Sequence, residues 1–432
     1  MKRIIISCCI ALLFIQGYAQ KNLTLDECRK MALENNKQAR LSGYSIQKAE
    51  QEMKAMKSNY LPKISVSGGY LYADKNFSMN LAPSMTASLN MNNSYFAGLQ
   101  VEQPIYMGGK IMAANKISHT GFEISRLNKQ KTDTEILVAV DEAYWGLVKA
   151  NELLTVANKY KEAVEEVYRN VKHLYQTGMV PKNNLLKVQV KLNEADLSLH
   201  RSQNTIRQSK MSLCHILGLS LASEINTSGE LGANIIPVEK EKFAVEDRLE
   251  YQTYSKMIDL KKQEIRLTRS EFLPQIGLVA GYNYLDGMKM NGNKLLSDDI
   301  FAVMVAVKVP LFHWGEGRHK VKAAKIEQRM AETQRADLSD QIQLEVSQAI
   351  NTLDEANLEI RLTGTAYQQA EENLRESREN YSTGMETLVN YLEAQVTWQQ
   401  AWSESVSAKA AYHLAESNYL KAIGKLNNKA VL

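Results

Sequence analysis

Two spacings of apolar residues divide this chain. From 147 to 178 they recur every seven residues, with Leu147, Leu154, Lys161, Tyr168 and Tyr175 in one register and Ala150, Ala157, Val164, Val171 and Gly178 in its companion. The same spacing returns as Leu353, Ile360, Tyr367, Leu374 and Tyr381 over Ala356, Thr363, Ala370, Ser377 and Gly384. Heptads of this kind predict left-handed coiled-coil packing. They belong to two long helices, over 110–175 and 318–381, each about 100 Å long at ~1.5 Å per residue. Shorter helices are predicted over 25–60, 182–217, 245–271 and 387–423. Thr24 and Glu27 form a capping box at the start of the first, and Leu61-Pro62 and Leu273-Pro274 stop two of them.

The second spacing has period two. Ile64, Val66, Tyr70 and Tyr72 alternate with Ser65, Ser67 and Gly69, and Tyr95, Ala97, Leu99 and Val101 with Gly98, Gln100 and Glu102. Ile276, Leu278, Ala280, Tyr282 and Tyr284, then Phe301, Val303, Val305, Val307 and Val309, repeat the pattern. Strands are predicted over 63–73, 94–104, 275–285 and 299–309, joined within each pair by a loop rich in Asn, Met and Ser or in Asp, Asn and Gly. Their length suits transmembrane barrel strands, which need ~9–11 residues. A soluble sandwich would show the same alternation.

The elements occur twice in one order because the chain is a duplication. LPKISVSGGYLY from Leu61 answers LPQIGLVAGYNY from Leu273, and YQTGM at Tyr175–Met179 answers YSTGM at Tyr381–Met385. The halves run over 20–237 and 238–432. Residues 1–19, with Lys2, Arg3, an apolar run from Ile4 to Ile15 and Ala19 at the expected cut, read as a signal peptide.

Composition narrows the function. No apolar run of helical membrane length follows the signal, so a membrane would have to be entered through the strands. The charge is close to balanced without a basic run, which excludes nucleic acid as the expected partner. Cys28 and Cys214 cannot make a disulfide framework and are expected to be buried fillers. No phosphate loop, HExxH or GxSxG occurs, and no enzyme, cofactor or resident metal is expected. Met79, Met85, Met91, Met107, His313 and His319 keep no ligand spacing. Trp314 is expected at a membrane interface, and Trp145, Trp398 and Trp402 in helix packing.

Four strands cannot close a barrel, and open edges are not tolerated in lipid. If the strands span a membrane, copies must share them: three chains give twelve strands, with the helices alternating around a hollow tube. A secreted coiled-coil filament is the competing class.

Over essentially the whole mature chain the sequence resembles the TolC family of outer-membrane efflux proteins. The likeness rests on the duplicated order of helix, Leu-Pro, strand pair, QPIYMGG or VPLFHWGEG, long helix, YxTGM and return helix, with ALENN in the first helix. It implies a mainly α fold with β: a homotrimer with a shared 12-stranded β-barrel in outer-membrane lipid and a periplasmic α-barrel. It also implies docking to a periplasmic adaptor and an inner-membrane RND, ABC or MFS transporter, for efflux or for type I protein secretion. By position it places Tyr175, Gly178, Asn183, Asn184, Tyr381 and Gly384 at the adaptor-docking tips, and Glu386, Asn390 and Glu393 at the pore constriction. The family pattern has a basic residue where this chain has Glu386, and an aspartate where it has Asn390.

Overall fold

The computed structural model describes residues 21–75, 77–82, 85–232 and 241–426. The expected signal peptide and the junction at 237/238 lie outside them. In chain order the elements are β1 (Lys21–Leu23), α1 (Leu25–Asn35), α2 (Lys37–Lys57), β2 (Lys63–Leu71), β3 (Phe77–Ala82), β4 (Met85–Asn90), β5 (Ser94–Met107) and α3 (Lys110–Gln176). There follow α4 (Lys182–Ile216), β6 (Ile225–Thr227), α5 (Leu249–Ser270), β7 (Gln275–Met290), β8 (Asn293–Lys308), α6 (Glu316–Thr383) and α7 (Leu388–Ala422). The chain gathers into two compact units, neither of which is one sequence repeat. One takes the described residues of Met1–Gly43, Asn128–Tyr251 and Leu338–Leu432, the other Tyr44–Leu127 and Gln252–Asp337.

The first unit holds most of the buried side chains. Among the heptad positions Leu147, Ala150, Ala157, Val164 and Val171 are buried, while Leu154, Lys161 and Tyr168 are only half-buried. Leu147, Val140, Tyr144, Leu213 and the two cysteines form one cluster; Leu137, Val346, Leu353, Tyr412 and Tyr419 form another. α7 is buried on most of its circumference because alanines at 394, 401, 408, 410, 415 and 422 let neighbours approach closely. A short parallel pair, β1 with β6, was not foreseen; its three-residue strands are too short for periodicity to reveal.

The helix expected over 25–60 is broken at Asn36, whose backbone is extended, and its last turn over Ser58–Tyr60 is a 3-10 helix. The break has a use. Asn36 donates from Nδ2 to the carbonyl of Ile216, the last residue of α4, at 2.8 Å. At the equivalent place in the second half Arg248 donates from Nη1 to the carbonyl of Ala422, the last residue of α7, at 2.5 Å. The helix expected from 245 is likewise interrupted, with a 3-10 turn at Val245–Asp247, an extended Arg248 and α5 from Leu249. Each half thus ties that interruption to the C-terminus of its return helix, where backbone acceptors lack intrahelical partners.

A buried ion pair lies deeper in the same unit. Asp141, fully buried on α3, accepts from Arg29 Nε at 2.8 Å and Nη2 at 2.7 Å, and from Ser417 Oγ at 2.6 Å. One carboxylate so joins α1, α3 and α7.

The second unit carries the sheet, in which β2, β5, β7 and β8 pair antiparallel in that order. Three of the four strands are longer than expected, while β2 ends at Leu71, two residues short of its expected limit, and two predicted loops are corrected. Residues 285–299 continue β7 and β8 to a two-residue turn at Asn291-Gly292, with φ of 50° and 84°. Positive φ at both positions is what an Asn-Gly hairpin turn supplies, so the signal was present in the sequence. The first loop contains the hairpin β3–β4, which joins the end of β7 through Leu89 and Asn90. Asn291 and Ser88 exchange hydrogen bonds that hold these two hairpins together.

Candidate functional site

The two turns between outgoing and returning helices have one geometry. Met179 N–H donates to Leu174 O at 2.9 Å and Gly178 N–H to Tyr175 O at 3.0 Å; Met385 pairs with Asn380 at 2.9 Å and Gly384 with Tyr381 at 3.2 Å. This helix-closing motif needs a left-handed residue, and Gly178 and Gly384 sit at φ of 76° and 79°. A Cβ at either position would meet nothing within 4 Å, so backbone conformation alone calls for glycine.

Beyond the glycines the tips diverge. Thr387 caps α7 by accepting from Asn390 N–H at 3.3 Å, whereas the residue before α4 is Pro181, which has no side-chain cap to offer and whose carbonyl accepts from Asn184 N–H at 3.0 Å. At matching positions the first tip has Val180, Asn184 and Lys187, the second Glu386, Asn390 and Glu393. Asn390 and Glu393 are three apart on the first turns of α7 and exposed, whereas Glu386 lies in the turn before the Thr387 cap and is half-buried. Asn183 is exposed in the first turn of α4, and Asn184 is half-buried.

Tyr175 and Tyr381 occupy different environments. Tyr175 is exposed, but Tyr381 stacks on Tyr391 with ring centroids 5.1 Å apart, against a cluster of Val167, Val171, Val188 and Leu392. Burial pushes both stacked phenols above the ordinary tyrosine range, Tyr381 with help from Tyr391. Periodicity did not reveal Arg378, which reaches Glu166 at 2.7 Å and so links α6 to α3 beside the tips. An exposed pair of this kind contributes at most ~1 kcal/mol, weak enough to break and reform.

The two faces of the sheet in the second unit differ in polarity. Register places Val66 against Leu99, Leu99 against Tyr282 and Tyr282 against Phe301, and Ile64 against Val101, Val101 against Ala280 and Ala280 against Val303. One continuous face is therefore aliphatic, with Tyr70, Tyr95, Tyr282 and Tyr284 toward the hairpin end. The opposite face carries Ser65, Ser67, Gly98, Gln100, Gly281 and Asn283, interspersed with Phe96, Val279, Ile300 and Met304. Val66 is 80% exposed and Phe301 69%, so none of the described residues covers the apolar face there. Among the described residues, β2 pairs only with β5 and β8 only with β7, leaving both outer edges open. At the other end of β8, Phe312 and Trp314 make an exposed T-shaped pair. His313 lies edge-on to Phe272. The side chains of Met79 and Met85 lie outside the described residues.

An outer membrane efflux protein family model matches residues 28–219 and 252–425, once in each half. The chain is 21% identical over 437 residues to outer membrane protein TolC of Escherichia coli strain K12, covering 97% of this chain and 83% of that one. It is 20% identical over 441 residues to the proteases secretion protein PrtF of Dickeya chrysanthemi, covering 97% and 92%. Among solved structures, the Campylobacter jejuni CmeC outer membrane channel matches with a TM-score of 0.77 at 19% identity, over 93% of this chain and 86% of that one. The open state of the Neisseria gonorrhoeae MtrE outer membrane channel matches at 0.76 and 17% identity, over 93% and 89%.

Proposed function

Because this chain belongs to the outer membrane efflux protein family, we propose that three copies close one β-barrel from their four long strands each and continue it as a helical tube into the periplasm. The protein is an outer-membrane channel for efflux or secretion, and it is not an enzyme. Family membership sets the filament reading aside. The observation that carries the trimer is the sheet: an apolar face with two open edges, which lipid does not tolerate until copies pair them.

Transport through such a protein is conduction, with the driving step supplied by a periplasmic adaptor and an inner-membrane transporter. Similarity to the protease secretion proteins supports polypeptide export beside small-molecule efflux. The halves divide the tip: Tyr175, Gly178, Asn183 and Asn184 on one turn, with Tyr381 and Gly384 on the other, are the docking positions. Glu386, Asn390 and Glu393 form the constriction, and three Glu393 side chains make a carboxylate ring that favours cations.

Purified protein in planar bilayers tests this reading. The channel is expected to conduct with a cation preference that Glu393→Gln lowers by roughly twofold or more. An unchanged preference removes Glu393 from the constriction.

A further inference from the structure

All four helix-joined strand ends lie at one end of the sheet, since Lys63 faces Glu102, Gln275 faces Lys308 and Met107 faces Gln275. Charge is unevenly distributed between that end and the other. The flanking segments 54–63, 108–117, 265–275 and 308–325 hold twelve Lys and Arg against Glu271 and Glu316 alone. The hairpin end, over 72–94 and 285–299, has Asp74, Asp286, Asp298 and Asp299 against three lysines. All twelve cations of the collar are exposed. Only Lys54 and Lys320 are held by a carboxylate, Glu50 and Glu316; among the described residues no ion pair reaches the others.

Arg266 and Arg269 of α5 line two adjoining grooves. One is shared with Lys325 and Arg329 of α6 and is also lined by Glu332, the other with Lys116 of α3 and the backbone at Gly108-Gly109. In the same unit the chain leaving β8 exposes Leu311 by 90% and Trp314 by 89%. Exposed apolar side chains next to uncompensated cations, at the level where strands enter the apolar band, form the pattern of a surface that meets anionic headgroups. A second copy is a poor occupant, because it brings the same positive collar to the same level.

We propose that this collar binds the phosphate headgroups of anionic phospholipid in the leaflet facing the helices, with Lys116, Arg266, Arg269 and Lys325 as the principal contacts. The proposal rests on the outer-membrane reading. It adds a lipid specificity that orients and anchors the barrel.

The test uses full-length protein reconstituted into vesicles of acyl-brominated phosphatidylglycerol or acyl-brominated phosphatidylcholine, read by tryptophan quenching. Trp314 is the one tryptophan in the sheet-bearing unit, so its signal, defined by subtraction of Trp314→Phe, reports this surface. Both lipids should quench it, phosphatidylglycerol with a roughly fivefold higher relative binding constant at low salt. The preference should vanish at ~0.5 M salt and in the variant combining Lys116→Gln, Arg266→Gln, Arg269→Gln and Lys325→Gln. Equal quenching by the two lipids at low salt overturns the proposal and leaves the membrane reading standing, as does a preference that survives high salt. A variant that keeps its lipid preference but no longer retains a periplasmic protein partner assigns the collar to that partner and overturns the lipid site. Quenching by neither lipid overturns the membrane reading itself.

Discussion

Replacing Asp141 by alanine should be among the most damaging single changes in the helical unit, lowering stability by about 3–5 kcal/mol, the usual cost of stranding one member of a buried ion pair. Arg29 is 7% exposed, and both of its hydrogen bonds to Asp141 would be lost. Its other ion-pair partner, Asp26, stands at 3.4 Å and is largely in solvent, and Glu416 adds only a Coulombic attraction. Ser417 would lose its acceptor as well. Because desolvation opposes the Coulombic gain, replacing all three groups together should cost much less: Arg29→Met with Asp141→Leu and Ser417→Ala should recover most of the loss. Denaturant midpoints followed by circular dichroism compare the variants. A change below ~1 kcal/mol in Asp141→Ala would mean that the carboxylate is not buried as described.

Gly218→Ala should cost at least ~2 kcal/mol, more than the corresponding change at either tip. Gly218 closes α4 at φ of 70°, and a Cβ there would lie 2.4 Å from the carbonyl oxygen of Asn35. That oxygen is backbone at the break in the first helix, so it cannot rotate away as a side chain would. Gly178 has nearly the same φ with open space around it, and Gly178→Ala should cost only ~1–2 kcal/mol from the conformation. Thermal midpoints of the two variants separate the contributions. Equal losses would show that the approach to Asn35 is not tight.

These two sites illustrate what the sequence exposes and what it hides. Heptads, period-two runs, the duplicated order and the tip glycines depend on spacing within one element, and spacing is visible in one dimension. The Arg29–Asp141 pair joins residues 112 positions apart. Its only sequence trace is an acidic residue set among Leu137, Tyr144 and Val148, on a stripe that is otherwise apolar. Asn36 looked like an ordinary helical residue, because the carbonyl it caps is 180 positions away. The Asn291-Gly292 turn was readable from residue type, but the loop composition around it masked the continuing alternation. At the tips, positions were legible and environments were not: Tyr175 and Tyr381 share a motif, yet only Tyr381 has a tyrosine to stack on. The collar was missed because its cations are divided among four segments that only the sheet register brings level.

The measurement that bears most directly on the whole account is the number of chains in the particle that detergent extracts from outer membranes, determined by light scattering corrected for bound detergent. Three chains per particle is the expected result, since twelve strands close what four leave open. A monomer released into aqueous buffer without detergent would contradict it.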